Sequence, residues 1–448
     1  MPSVRIAGGR TFVIAASVAI GLATSLSAPA AAQYFGRNKV QYQDFHFRRL
    51  KTPHFDVYYY PAESLAAVDL GRMAERWYER HSKTLIDEFD RRSLIMYADH
   101  PDFEQTNVIG GFIDQGTGGV TEGNRSRVVM PFTGVYAEND HVIGHELTHV
   151  FQYDIASKMR GGGIVAFSRL PLWLTEGMAE YLSLGRDDPN TAMWLRDAAQ
   201  RNDIPTIKKL NTDPRYFPYR YGEALWAYIG GRWGDDVVQQ LFRASVQSGF
   251  EGGIRRTLGM STDTLSAQWL ASIREAYLPL IQDRQAPDSV GTRLLRPGSK
   301  YGDMDVSPAL SPDGKSVAFY TSRGLLNIDL YVADAETGKI IKKLTGPNTD
   351  PHFDAINFIN SAGTWSPDGK QFAFIVFADG MNEIDIFDVA RQDIVRRIKP
   401  KEGVGAVNDV SWGPNDELIF SGMAGGLSDL YLYDLKTGKQ EQLTHDRY

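Results

Sequence analysis

Cysteine is absent from all 448 residues. Its absence excludes disulfides, thiolate metal sites and a lipoprotein anchor, because that lipid attaches to a cysteine. Any bound metal must therefore be held by nitrogen and oxygen. A long basic run is also missing: Lys and Arg total 48 against 55 Asp and Glu, for a formal charge of −7. Nucleic acid is thus not an expected partner, since its phosphates demand clustered cations. Beyond the N-terminal segment no apolar run reaches the ~20 residues that a membrane-spanning helix needs. With 42% hydrophobic and 23% charged residues the composition is globular, and long disorder is not expected. The length exceeds one ordinary domain, so two are expected.

The N-terminus reads as a leader. Arg5 and Arg10 form a positive region, Thr11 to Leu26 is apolar, and Ala30-Ala31-Ala32 supplies the small residues of a cleavage site. Residues 1–32 are therefore expected to be a signal peptide cut before Gln33. The apolar stretch is short for a spanning helix, which ranks a retained anchor second. Cleavage removes two Arg and no acid, leaving a charge of −9. The mature protein is expected in the periplasm, at the outer membrane or outside the cell, without a transmembrane helix.

Residues 33–285 mix strand and helix patterns. His54 to Tyr60, Leu94 to Tyr97 and Arg127 to Met130 have the aromatic and β-branched character of strands. Leu70, Met73 and Trp77 fall at helical spacing, and helical patterns dominate from His141 to Gln282. That order implies an α+β domain. The polar stretch 286–296, containing Pro287, reads as a linker.

Residues 297–448 repeat. Ser311-Pro312-Asp313-Gly314-Lys315 returns as Ser366-Pro367-Asp368-Gly369-Lys370 and more weakly as Gly413-Pro414-Asn415-Asp416. Each turn precedes two strand-like runs, such as Val317 to Tyr320 and Asp329 to Val332. Thr337-Gly338 and Thr437-Gly438 mark further tight turns. Four short strands per unit, at a period near fifty, is the pattern of a β-propeller blade. The Ser-Pro-Asp-Gly motif itself reads as a turn and nothing more: Pro fixes φ, Asp caps and Gly takes positive φ. These units resemble the blades of TolB-like propellers. Three blades would leave an open ring with an apolar face. The expectation is a truncated product of a longer gene, or a ring closed by self-association. Residues 33–290 are expected to fold alone and residues 291–448 are not.

His145-Glu146-Leu147-Thr148-His149 carries the chemistry. On a helix, residues four apart share a face, so both imidazoles can address one ion. Asn139 or Asp140 is the expected N-cap. Glu146 lies about 100° round the helix, close enough to address a metal-bound water. His141 extends the histidine ladder, but eight residues span roughly 12 Å, too far for one ion to collect His141 and His149 together. His141 is expected to be structural or at the rim. The other six histidines lack metal-ligand spacing.

Trp173-Leu174-Thr175-Glu176-Gly177-Met178-Ala179-Glu180 follows, with Glu176 27 residues beyond His149. Two His and one Glu form a standard catalytic zinc set with one open position. Here the chain resembles the gluzincin metallopeptidases of the MA clan, which pair a His-Glu-x-x-His helix with a downstream Trp-Leu-x-Glu-Gly-x-Ala helix. The resemblance implies one Zn²⁺ per chain on His145, His149 and Glu176, with Glu146 as general base. It further implies that Glu180 accepts a hydrogen bond from a ligand histidine. The loop 161–171 would be an insertion. Several gluzincins carry Tyr-x-x-Gly where this chain has Tyr219-Arg220-Tyr221-Gly222. That makes Tyr219 the expected donor to the oxyanion, with Tyr221 in reserve. The stretch Val108 to Met130 is expected to supply an edge strand that aligns a peptide by β-addition.

The expected fold is an α+β metallopeptidase domain followed by an all-β partial propeller. The expected function is hydrolysis of a peptide or protein substrate, with the propeller binding substrate or an envelope protein. Two other functions fit the same residues: a non-catalytic envelope scaffold, and a zinc hydrolase of a non-peptide bond.

Overall fold

The computed structural model describes residues 41–446, apart from 111–112, 296–303, 324–326, 348–349, 351 and 360. The expected leader, 1–32, lies outside the described residues. Among them no helix is long and apolar enough to cross a membrane.

The first half is helical around one five-stranded sheet. Strands β1 (Arg48–Lys51), β2 (Phe55–Tyr59), β3 (Arg92–Tyr97), β4 (Val120–Glu122) and β5 (Arg127–Pro131) take the order β1-β2-β3-β5-β4. The three central strands run parallel, and β1 and β4 flank them antiparallel. Parallel neighbours need a crossover, and helix α1 (Ser64–Leu85) supplies it between β2 and β3. It buries Leu70, Met73, Ala74, Trp77, His81 and Leu85, a stripe at helical spacing. A short helix α2 (His100–Glu104) follows β3.

Helix α3 (Tyr136–Lys158) crosses the middle of this half and packs on α1. One side carries Ile143, Leu147, Val150, Phe151 and Ile155 into the core, and the His145 and His149 side is buried as well. Gly144 permits the crossing: a Cβ there would lie 2.7 Å from the Trp77 ring. The helix starts a turn earlier than its expected caps, with Val135 at the N-cap position. Asn139 is already helical, and its Oδ1 accepts from Thr133 N instead. Asp140 takes the Trp77 indole N–H at 3.2 Å.

His81, fully buried on α1, sits 2.9 Å from the Gly144 carbonyl. A carbonyl can only accept, so Nε2 carries the proton and Nδ1 is left without a partner. Burial pushes the ring pKa down to about 4. The folded state therefore keeps His81 neutral while the unfolded chain protonates it near 6.5. The stability this contributes is complete above pH 6.5 and is lost as pH falls from 6.5 towards 4, about 2 kcal/mol by pH 5. Urea midpoints at pH 7 and pH 5 should drop less for His81→Gln, which keeps a donor without a titrating ring. An equal drop in both proteins would refute this.

After α4 (Ile164–Phe167), inside the expected insertion, come α5 (Leu172–Leu184), α6 (Pro189–Gln200), α7 (Ile207–Thr212), α8 (Pro218–Trp233), α9 (Asp236–Leu258) and α10 (Thr262–Ile281). Helices α5 and α8 cross on two glycines. A Cβ at Gly177 would lie 2.4 Å from the Gly222 backbone, and one at Gly222 would lie 2.5 Å from Trp173 O. The glycines of Trp-Leu-Thr-Glu-Gly and Tyr-Arg-Tyr-Gly are thus two sides of one contact. It brings the helix bearing Glu176 against the helix bearing Tyr219. The expected linker contains one short helix, α11 (Pro287–Val290).

The second half is β-rich. Strands β6 (Asp305–Leu310), β7 (Ser316–Thr321), β8 (Asp329–Asp334) and β9 (Ile340–Thr345) form one antiparallel sheet in sequence order. The second sheet contains β10 (Ala355–Ile356), β11 (Thr364–Trp365), β12 (Gln371–Ala378), β13 (Met381–Asp388) and β14 (Asp393–Ile398). The third contains β15 (Ala406–Trp412), β16 (Glu417–Ala424), β17 (Leu427–Asp434) and β18 (Gln440–Gln442). Each Ser-Pro-Asp-Gly is a turn. Asp313 Oδ1 accepts from Lys315 N at 3.1 Å, and Asp368 Oδ1 accepts from Lys370 N at the same distance. Gly314 and Gly369 take φ of 73° and 69°.

Strand β12 reads as one apolar run because both its faces are covered. Phe372, Phe374 and Val376 pack towards the first sheet, while Ala373 and Ile375 pack towards the third. The outer face of the third sheet leaves Ile419 and Leu430 exposed. Separate folding of the first half meets a shared surface. Ala406 and Met423 of the third sheet join the core of the first half, and Gly426 lies where a Cβ would touch Phe132 at 2.8 Å.

Candidate metal centre

Three side chains converge from two helices. His145 Nε2 and His149 Nε2 of α3 are 3.2 Å apart, and Glu176 Oε2 of α5 lies 3.3 and 3.0 Å from them. Two imidazole nitrogens and a carboxylate oxygen this close together form a set that can hold a metal ion. Burial opposes charge on His145, but Glu176 and Glu180 outweigh it and push its pKa up to about 10. Burial also opposes charge on Glu176, yet His149 and His145 hold its carboxyl well below the usual range. The nitrogen and oxygen donor set suits zinc.

The far sides of both rings are held. His149 Nδ1 meets Gln152 Oε1 at 2.9 Å, and Gln152 Nε2 donates to Thr175 O at 3.0 Å, which fixes the amide. An oxygen at Nδ1 makes Nδ1 the protonated nitrogen and leaves the Nε2 lone pair facing the centre. His145 Nδ1 lies 2.9 Å from Glu180 Oε1, while Arg220 reaches Glu180 Oε2 at 3.1 Å. His141 stands outside, 3.5 Å from Glu180.

Glu146, next to His145 on the same helix, is nearly buried. Thr121 of β4 donates to its Oε2 at 2.7 Å and to its carbonyl at 3.0 Å. The chain passes so close that a Cβ on Gly119 would lie 3.0 Å from Glu146 Cγ. Among the described strands β4 ends its sheet, leaving one edge without a neighbouring strand, beside Glu146.

Tyr219 lies at the start of α8 with its ring parallel to that of His145, centroids 6.0 Å apart. Burial, then Glu176 and Glu146, raise its pKa, so its hydroxyl stays protonated. Tyr221, held in reserve on sequence grounds, is instead a core residue against Tyr216 and Trp194. Helical geometry accounts for the split, since residues two apart face different sides.

Sequence reasoning missed Thr121, Gln152 and Tyr153. Tyr153 tilts against His149, and burial with the nearby Glu176 and Glu146 raises its pKa. Gln152 and Tyr153 stand three and four residues past His149, a spacing that could have flagged them. Nothing local could have flagged Thr121.

No family model and no curated protein matches the chain. Among solved structures it is similar to TolB from Acinetobacter baumannii, at 27% identity over 32% of this chain and 33% of that one, TM-score 0.27. It is also similar to a putative TolB from Agrobacterium tumefaciens, at 20% identity over 31% and 46%, TM-score 0.25. The β-propeller domain of the Trilobed protease from Pyrococcus furiosus shares 21% identity over 32% and 44%, TM-score 0.22. The chain thus spans less than half the length of each. A likeness of this extent carries no argument about activity.

Proposed function

We propose that the chain is an exported zinc metallopeptidase of gluzincin type, with a partial propeller as its second half. The observation that carries this reading is the convergence of His145 Nε2, His149 Nε2 and Glu176 Oε2 within 3.3 Å of one another, beside the Glu146 carboxylate. Bound zinc supplies Lewis-acid polarisation of a carbonyl and lowers the pKa of a water.

The protein's own groups do the rest. Glu146, with one oxygen held by Thr121, takes the proton of the attacking water and delivers it to the leaving amine. Glu180 and Gln152 hold the two imidazoles in orientation. Strand β4 aligns an extended peptide along its unpaired edge. Tyr219 donates a hydrogen bond from its hydroxyl to the carbonyl oxygen as negative charge builds there.

Incubating the zinc-loaded protein with a diverse peptide mixture, and reading products by mass spectrometry, tests the reading. New termini are expected with wild-type protein and none with Glu146→Gln. No cleavage of any peptide would favour a non-catalytic scaffold or a hydrolase of another bond. Tyr219→Phe should lower kcat by about 10²-fold with KM little changed. If Tyr221→Phe produced that kcat effect instead, the oxyanion assignment would be wrong.

A further inference from the structure

A cavity of about 630 Å³ opens between the two halves. The first half contributes Glu104 of α2, Glu138 of α3 and the loop entering β4. The sheets contribute Ser307, Asn357 and Asp409. Gln115 fastens that loop to the second sheet: its Nε2 donates to Ile356 O at 2.7 Å and its Oε1 accepts from Phe358 N at 3.2 Å. The strand that borders Glu146 is therefore positioned by both halves.

Two wall residues sit at strand irregularities. Ser307 takes φ 53° where β6 shifts register, and Asp409 takes φ 44° where β15 does. Bulges of this kind re-aim side chains. Asn357 lines the cavity at 8% exposure, and its side-chain amide makes no hydrogen bond among the described residues. An amide without a protein partner on a cavity wall offers both a donor and an acceptor to what enters the cavity. The wall also holds three carboxylates, Glu104, Glu138 and Asp409, against one imidazole, His100, which lies 3.0 Å from Glu104. No Lys or Arg is among the described lining residues. A concave wall with this balance concentrates cations.

The cavity adjoins the metal centre. Gly118 lines it, and the next residue, Gly119, rests against Glu146. On α3, Glu138 precedes Glu146 by eight residues, about 12 Å of helix. An extended peptide covers that in three or four residues at about 3.3 Å each.

We propose that this cavity is a substrate subsite for a lysine or arginine side chain, carried three or four residues from the scissile bond. The inference rests on the peptidase reading above. Its test uses the zinc-loaded full chain with Glu146→Gln, so that peptides bind uncut. The probes are two fluorescein-labelled Ala/Gly peptides, identical except for one central Lys or Gln. Anisotropy should show the Lys peptide binding about tenfold more tightly. Adding Asp409→Asn or Glu138→Gln should shrink that difference to less than about threefold. Equal binding of the two peptides, or an undiminished difference in both variants, would overturn the proposal.

Cleavage of a peptide mixture by wild-type protein separates the two readings. A basic residue enriched three or four positions from the cut is expected. Cleavage without that bias removes the subsite and leaves the peptidase. Charge-selective binding without any cleavage removes the peptidase, and the cavity then binds cations without being a substrate subsite.

Discussion

On the peptidase reading, Glu146→Gln should slow peptide hydrolysis by roughly 10²–10⁴-fold, the scale of losing a general base, and should leave one zinc per chain. Glutamine has almost the same shape, and its oxygen can still accept from Thr121, which lies 2.7 Å from the carboxylate. The strand passing at Gly119 meets the same volume. What disappears is basicity. Because Glu146 is not among the three converging donors, metal content should not follow activity down. kcat and kcat/KM should fall together, the pattern of a group that acts in the transition state. Near wild-type turnover in this variant would remove the mechanism, and loss of zinc alongside activity would make Glu146 a ligand instead.

His149→Ala should have its largest effect on metal content. Replacing a partner of a ligand costs about 10–100-fold in affinity, and removing a ligand should exceed that. After reconstitution and dialysis, elemental analysis should give one zinc per wild-type chain and almost none for the variant. Gln152→Leu makes the graded control. It removes the oxygen 2.9 Å from His149 Nδ1 but no donor, so zinc should still saturate, with affinity lower by about 10–100-fold in competition with a chelating dye. Full zinc in His149→Ala would end the assignment of this site.

Much of the centre was legible before any coordinates because it is local. Four residues separate His145 from His149, and four separate Glu176 from Glu180, so helical periodicity alone puts each pair on one face. The three turn copies, with their Pro, Asp and Gly, were legible for the same reason: a turn's backbone angles constrain its own four or five residues. The helix start was misread because Asn139, a good capping residue, bonds back to Thr133 from inside the helix. Propensity names residues that can cap without saying which partner they take.

The sequence by itself thus determined the two-half organisation, the repeated turns, and which side chains share a helix face. The tertiary structure alone decided that Thr121 holds Glu146 and that Tyr219 rather than Tyr221 borders the centre. It also decided that Gln115 ties the loop entering β4 to a strand 241 residues later. The reason is physical. Local rules set directions within one element, whereas distances between elements follow from how they pack, as where Gly177 lets α5 close on Gly222 of α8.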